Sequence, residues 1–424
     1  MRRAVGTLLG KSVAGAVKLR GRSGGQALPG LVVEKLIPGY LAAMLKQLPE
    51  GVVIITGTNG KTTTTKMVVE LLRANGKRVL TNPTGSNLTR GIISSVSRQA
   101  YSTGRLPFDI AVFELDEAYA CRFTDVVKPR YVLGLNASRD QLDRFGEVDK
   151  VAQLISETML SASTGIVTNA DDERLRIAVE AAEVPVLYFG VAPRLQSYFP
   201  KDEELVAVNT ATVSADSADR SRAVELVGFK DTVARYRIAD KIYTATLHVT
   251  GQHNFQNAAA ALALVRTLQP RVEVGMLLEQ LSQVKPAFGR GQTFQLRNGS
   301  KLQINLVKNP ASFRQGLASY VDSRAKIMIA INDRIADGRD MSWLWDVDFT
   351  ALSTYGVATT TGNRAADIAL RLQYDEVSVG TVESDINEAL KRVCKLADDK
   401  VVFATYTAML HMHAVLERKA GTEL

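Results

Sequence analysis

Residues 57–62 read Gly-Thr-Asn-Gly-Lys-Thr, directly after the apolar run Val52–Thr56 and directly before the helix-like segment "TKMVVELLRANG". A β-branched strand that breaks into a glycine-rich turn and then a helix has the layout of a phosphate-binding loop. Backbone N–H groups around Gly57–Thr62 can cradle phosphate oxygens. Lys61 can reach the terminal phosphates, and Thr62 offers a hydroxyl where Mg²⁺ would need one. The loop is shorter than the general G-x-x-x-x-G-K-[ST] pattern. Hydrolysing NTPases, kinases and ATP-driven ligases all use such a loop, so it leaves the reaction open.

Three further stretches carry candidate chemistry. In "FDIAVFELDEA" (108–118), Ile110–Phe113 reads as a buried strand ending in Glu114. A carboxylate at the carboxyl end of a strand, in the same sheet as the loop, is well placed for Mg²⁺. Asp116 and Glu117 stand close behind it as supporting groups, and a solvated acidic strand end is the competing reading. Asn254 and Asn257 are three apart, so both amides share one face of a helix, where they can meet a nucleotide. Asn254 also suits a plain helix N-cap. In the last third, Asp337, Asp340, Asp346 and Asp348 crowd beside Trp343 and Trp345, the chain's only tryptophans. Carboxylates beside bulky aromatics suggest an interface or a site loop, against a bland reading as capping aspartates. His248, His253, His411 and His413 are the only histidines. His253 belongs to the asparagine stretch, and the last two read as structural.

The elements that must position these residues follow an α/β rhythm. Strand candidates are Val52–Thr56, Arg78–Thr81, Ile110–Glu114, Tyr131–Leu135, Gly165–Thr168 and Val186–Phe189, with helices such as Thr63–Ala74 and Lys150–Ser161 between them. Short buried strands separated by helices predict a mostly parallel, doubly wound sheet. Residues 1–48 read as a helical segment with a "GRSGGQALPG" break at 21–30. Residues 49–298 form the nucleotide-binding domain, with a small antiparallel insertion at about 196–250 and helix returning at Asn254–Leu268. Residues 299–424 alternate again, with strands expected at Leu302–Leu306, Ala325–Ile331, Thr354–Val357, Glu376–Val379 and Val401–Ala404, and form a second α/β domain.

Bulk properties narrow the class. The chain has 424 residues, 46% apolar and 23% charged, as in soluble globular proteins. The net charge of +8 favours acidic partners such as nucleotides and anionic lipids. Its two cysteines, Cys121 and Cys394, lie far apart and suggest no disulfide framework, which suits a reducing cytoplasm. No apolar run approaches the ~20 residues of a membrane span. Six basic residues (Arg2, Arg3, Lys11, Lys18, Arg20, Arg22) precede the first acid, Glu34. A basic amphipathic helix on an anionic membrane and a packed helix with a solvated basic face are both open readings.

"GTNGKTTTTK" resembles the ATP loop of the Mur ligase superfamily, with "NADDE" (169–173), "GQHNFQNAAAA" (251–261) and "FGRGQ" (288–292) in agreement. Within it, "NPTGSNLTRGI" (82–92), "LNASRDQLDRFGE" (135–147), "KNPASF" (308–313), "NDRIADGRDMSWLWDVDF" (332–349) and "TYTAM" (405–409) resemble the MurT family, the ligase subunits of lipid II amidating enzymes. The resemblance implies a Mur-type central domain plus a C-terminal Rossmann-like domain. It implies ATP-dependent amidation of the D-glutamate α-carboxyl in the lipid II stem peptide through an acyl phosphate, with domain closure shielding that intermediate. Ammonia would come from glutamine through a separate GatD-type glutaminase, at the cytoplasmic face of the membrane, with no nucleic acid involved. The alternative is a muramyl-peptide or folylpolyglutamate type of ligase that adds an amino acid.

The resemblance also implies residue roles. Thr58, Asn59, Gly60, Lys61, Thr62 and Thr63 form the ATP loop, Asn254 and Asn257 contact the nucleotide, and Arg290 stands near its phosphates. Thr62 and Glu114 hold Mg²⁺. Lys61 and Glu114 are catalytic, and Asp340 completes a Cys-His-Asp arrangement on the glutaminase, with Asp337 as its rival. Asn82, Ser86, Asn87, Arg139 and Asp140 face the substrate. Two departures matter. Gln141 stands where muramyl ligases usually carry a histidine for a second metal, so a second Mg²⁺ site is in doubt. Residues 190–250 hold no cysteine, so no zinc ribbon is expected.

Overall fold

A computed structural model describes residues 2–19, 27–82, 89–138, 148–199, 222–248, 251–285, 290–318, 320 and 325–420. The chain divides into two compact units: Met1–Ser138, Asp149–His248 and Asn254–Val284 form the first, and Arg139–Val148, Val249–His253 and Lys285–Leu424 the second.

Unit 1 opens with helices α1 (Arg2–Leu19), α2 (Leu28–Leu36) and α3 (Tyr40–Leu45). Strands and helices then alternate: β1 (Val52–Thr56), α4 (Lys61–Ala74), β2 (Val79–Thr81), α5 (Thr89–Gln99), β3 (Ile110–Glu114), α6 (Glu117–Thr124) and β4 (Tyr131–Gly134). After them come α7 (Val148–Leu160), β5 (Gly165–Asn169), α8 (Glu173–Ala178) and β6 (Val186–Val191). Strands β7 (Arg222–Lys230), β8 (Val233–Ile238) and β9 (Lys241–Thr246) precede helices α9 (His253–Leu268) and α10 (Val274–Ser282).

Among the described residues these strands form one sheet in the order β2-β3-β1-β4-β5-β6-β7-β8-β9. Pairing is parallel from β2 to β7 and antiparallel from β7 to β9. The central strands β1, "VVIIT", and β5, "GIVTN", are buried along their whole length. Such runs suit a sheet covered on both faces, where alternation would leave polar groups in the core. Strand β8 alternates buried and exposed residues instead, and β9 is mostly exposed. The stretch read as a small antiparallel insertion supplies the antiparallel β7–β8–β9 run, and its β7 pairs in parallel with β6, joining it to the large sheet. Residues 200–221 lie outside the described residues.

Unit 2 contains β10 (Arg290–Gln295), β11 (Lys301–Leu306), α11 (Pro310–Ala318), β12 (Lys326–Ala330), β13 (Val357–Thr361), α12 (Ala365–Tyr374), β14 (Val379–Glu383), α13 (Ile386–Cys394), β15 (Lys400–Ala404) and α14 (Tyr406–Ala420). Its sheet runs β10-β11-β15-β12-β13-β14, with only the β10–β11 pair antiparallel. Side chains alternate between two cores: Ile327 and Ile329 of β12 join Phe313, Trp343, Phe349 and Phe403, while Met328 and Ala330 join Leu390, Met409 and Met412. Two strands lie later than their sequence suggests. Residues Thr350–Leu352 form a 3₁₀ turn and Gly356 sits at φ +68°, so β13 starts only at Val357 and runs through three threonines. Glu376 sits at φ +57° after α12, which delays β14 to Val379.

The N-terminal helices rest on α5. Gly30 of α2 donates its N–H to Ser94 Oγ at 2.7 Å, and a Cβ there would stand 1.9 Å from the Arg90 carbonyl oxygen. Backbone cannot move aside as a side-chain tip can, so Gly30→Ala is expected to cost about 2 kcal/mol or more. Gly15→Ala on α1 meets nothing within 4 Å and is expected to be neutral or stabilising, by up to ~1 kcal/mol. Chemical unfolding of the two variants beside wild type checks the contrast.

Candidate functional site

Strand register assembles the site in unit 1. Ile55 of β1 pairs with Glu114 of β3, and Thr56 with Gly134 of β4. The loop leaving β1 therefore emerges between the ends of β3 and β4, at the carboxyl edge of the sheet. The chain beyond β4 braces it. Thr58 donates its N–H to Asn136 O at 2.9 Å, and its hydroxyl donates to Ser138 O at 3.1 Å. Asn59 donates its N–H to Asn136 Oδ1 at 2.8 Å, and Asn136 Nδ2 returns a bond to Asn59 O at 3.0 Å.

Gly60 caps α4 in a left-handed conformation, φ +85°. A Cβ there would lie 2.3 Å from Asn257 Oδ1, so the α9 asparagine packs directly on the loop glycine. Asn257 Nδ2 donates to Asn254 Oδ1 at 3.0 Å, and both residues are buried. The two asparagines thus meet each other on one helix face, and one of them meets the loop.

Lys61 is buried, 7% exposed. Its ammonium donates to the Gly57 carbonyl and stands 3.0 Å from Glu117 Oε1, itself 1% exposed. The Thr62 hydroxyl donates to Glu114 Oε1 at 2.8 Å. Asn82, beyond β2, grips the Glu114 backbone twice: its Nδ2 donates to Glu114 O at 2.9 Å, and its Oδ1 accepts from Glu114 N at 3.0 Å. Asp116 accepts from Glu117 N and caps α6. Thr63 is buried on α4. A lysine ammonium, a helix N-terminus and a hydroxyl–carboxylate pair within one turn make a site for a polyphosphate with its cation. The Thr62 and Glu114 oxygens are hard donors of the kind that would suit Mg²⁺.

Several of these contacts escape a sequence reading. Asn136, Ser138 and Glu117 brace the loop and its lysine, although the quoted stretches that contain them name no such partner. Their one signal is their place just past a strand of the loop's own sheet. Asn82, expected on substrate grounds, also holds Glu114. Ser86, Asn87, Arg139 and Asp140 lie outside the described residues. Arg290 begins β10, where its backbone pairs with Asn305.

Unit 2 separates the two rival aspartates. Asp337 is buried, accepting from Thr407 Oγ1 at 2.6 Å, Thr407 N at 2.7 Å and Arg334 N at 3.1 Å. It ties the loop after β12 to the start of α14. Asp340 accepts from Ser342 N at 2.8 Å and remains partly exposed. Trp343 is a core residue, 6.3 Å from the Phe313 ring centroid. Trp345 is 51% exposed, stands edge-on to Tyr374 at 5.2 Å and lies under the Arg371 guanidinium at 5.5 Å. Asp346 and Asp348 are exposed on the same loop. The Thr350 hydroxyl holds the Asp348 carboxyl below its ordinary range. Burial pushes Asp333 up, but donors from Asn363 and Arg364 outweigh it and hold it low. His413 is buried against Gln292 Oε1 at 2.9 Å, while the exposed His411 meets Asn387 Oδ1 at 2.9 Å.

Comparisons with known proteins place the chain in a family. Residues 55–265 match the Mur ligase middle domain and residues 306–409 the MurT ligase C-terminal family. The chain is 30% identical, over 93% of its own length and 93% of the relative's, to the lipid II isoglutaminyl synthase (glutamine-hydrolyzing) subunit MurT of Staphylococcus aureus. It is 29% identical, over 97% of its length and 96% of the relative's, to the subunit of the same name from Streptococcus pneumoniae. Among solved structures, MurF ligase from Thermotoga maritima in complex with ADP superposes with a TM-score of 0.67 at 19% identity, covering 90% of this chain and 84% of that one.

Gly60 offers a test of the site. Gly60→Ala and Gly76→Ala both place an alanine at positive φ, but only the first meets Asn257; a Cβ at Gly76 meets nothing within 4 Å. Both are expected to lose about 1–2 kcal/mol of stability. Only Gly60→Ala is expected to lose nucleotide affinity, by roughly tenfold or more, the equivalent of about 1.4 kcal/mol. Calorimetric titration with a non-hydrolysable ATP analogue reads the difference.

Proposed function

The chain belongs to the MurT family of Mur-type ATP-dependent ligases, and we propose that it is the ligase subunit that amidates lipid II, converting the stem-peptide D-glutamate to D-isoglutamine. The observation that carries this reading is the likeness to MurT subunits over nearly the whole chain, the C-terminal region included. The fold alone, which it shares with MurF, would suit a ligase that adds an amino acid.

In the proposed reaction the α-carboxylate oxygen attacks the γ-phosphorus of ATP and ADP leaves. Ammonia then attacks the acyl carbon of the acyl phosphate, inorganic phosphate leaves, and a proton is lost from nitrogen. The loop N–H groups and Lys61 hold the phosphates and offset the charge that gathers on them. Asn254 and Asn257 contact the nucleotide. Glu114 and Thr62 would hold Mg²⁺, which when bound neutralises phosphate charge and orients the transferred group. Asn82, Ser86, Asn87, Arg139 and Asp140 face the lipid-linked peptide.

Ammonia comes from glutamine through a glutaminase of the GatD type. The loop bearing Asp340 supports such a partner: Ile335 is 80% exposed and Trp345 51%, with Tyr355 and Tyr374 exposed in the same unit. Large exposed apolar and aromatic groups are typical of protein interfaces. Asp340, reachable from outside, orients the partner's catalytic histidine. Asp337 is already engaged by Thr407, which favours Asp340 for this role. The substrate lies at the cytoplasmic face of the membrane. Among the described residues no helix is long and apolar enough to cross it.

The test is amidation of lipid II by this chain with Mg-ATP, from ammonium alone and from glutamine with and without the glutaminase. Product from ammonium alone, and from glutamine only with the partner, is expected. Amino acid addition instead would replace the reading with the muramyl-ligase one. Lys61→Ala is expected to lower both activities at least a hundredfold, on the order of a lost charge-stabilising donor. Asp340→Asn is expected to leave the ammonium reaction within about twofold and to cut the glutamine reaction by roughly 10³-fold, as loss of a histidine-orienting carboxylate does. Equal loss of both would sink the assignment of Asp340.

A further inference from the structure

We propose that the outer face of helices α1 and α2 is a docking surface for an anionic phospholipid bilayer, so that the chain works while lying on the membrane. The inward side of α1 is accounted for: Gly6 lies against the Tyr40 ring, Gly10 against Ser97, and the Thr7 hydroxyl meets Tyr40 OH at 2.8 Å. The outward side leaves Val5 and Leu8 each 50% exposed, and α2 adds Leu36 at 66%. Arg2, Val5, Leu36, Ile37 and Pro38 line an open groove of about 350 Å³. This is an apolar surface formed by two helices and the turn after them, rather than scattered single side chains.

Its charge selects the occupant. Residues 1–48 contain eight Lys and Arg and a single acid, Glu34. That acid is paired with Arg90 at 2.8 Å. Arg2, which lines the groove, and its chain neighbour Arg3 are exposed, as is Lys35 beside Leu36 in the chain. Apolar side chains ringed by cations fit the headgroup layer of a membrane, where the first insert and the second meet anionic lipid. A neutral or basic protein partner would not match this rim.

The position of the surface fits that occupant as well. Through Gly30 and the Glu34–Arg90 pair, α2 packs on the first turn of α5, immediately after residues 82–88. That stretch carries Asn82, Ser86 and Asn87, assigned above to a lipid-linked substrate. In this respect the inference rests on the proposed function. A bilayer held against α1 and α2 would stand one helix away from the first turn of α5, which follows that stretch in the chain.

The experiment is co-sedimentation of the full chain with vesicles of phosphatidylcholine alone or with phosphatidylglycerol at about a third of the lipid, at low and high salt. Wild type is expected to partition at least about tenfold better onto the anionic vesicles and to lose this in high salt. Arg2→Glu with Arg3→Glu, and separately Val5→Ser with Leu36→Ser, are each expected to cut binding roughly tenfold, with the unfolding midpoint unchanged. Amidation of detergent-dispersed substrate stays at the wild-type level in both variants, while amidation of vesicle-embedded substrate falls. Wild-type binding that is absent, or indifferent to lipid charge and salt, overturns the proposal. So does a change in the soluble oligomer with vesicle binding intact, which would mark a contact between copies. Failure of amidation with vesicle binding as expected would overturn the functional reading and leave the surface standing.

Discussion

Strand β1 lies between β3 and β4, and its register against them governs the nucleotide site. Ile55 stands beside Glu114 and Thr56 beside Gly134, so the loop that follows must pass between a carboxylate and Asn136. The Thr62–Glu114, Asn59–Asn136 and Thr58–Ser138 bonds all depend on that placement. A slip of one residue would turn every β1 side chain to the opposite face of the sheet and carry the loop about 3.3 Å along it. All five β1 residues are buried, and the parallel pairing to β3 on one side and β4 on the other holds the strand in this register.

Around that edge the polar groups answer one another. Lys61 and Glu117 are both buried, and removal of either would leave a lone charge in the protein, a loss of about 3–5 kcal/mol in comparable pairs. The pair ties the start of α4 to the start of α6. Asn82 does a similar task for the chain entering Glu114, with one amide satisfying both the N–H and the carbonyl of that residue. The loop is thus held by protein groups on both sides, Asn136 and Ser138 on one and Glu114 and Glu117 on the other.

Unit 2 repeats the principle with other residues. Its sheet places β15 between β11 and β12, so the chain reverses direction of travel there, and such reversals open a crevice at the carboxyl ends of strands. Asn332, Thr405, Thr407 and Asp337 fill that position. The Thr405 hydroxyl accepts from Asn332 N at 2.9 Å, and Asn332 Nδ2 reaches Thr407 Oγ1 at 3.0 Å. These groups bond one another there, and the loop after β12 continues to the partly exposed Asp340 and the exposed Trp345.

Local patterns carried much of this into the sequence. Apolar runs marked most strands, and glycine spacing marked the loop, because burial on both faces and positive φ restrict residue type at single positions. The strands at 357–361 and 379–383 were less legible: three buried threonines read as polar, and Glu376 in a left-handed turn carries no glycine to announce it. By itself the sequence determined a phosphate loop within a mostly parallel α/β sheet, a second α/β domain and membership of a ligase family. Only the tertiary structure decided which polar side chains meet. Lys61 and Glu117 are 56 residues apart, Asn59 and Asn136 77, and Asp337 and Thr407 70. No period in the chain encodes such distances, which are set by the order in which strands enter a sheet. Asp337 and Asp340 likewise look alike in sequence, and only the fold buries the first and leaves the second partly exposed.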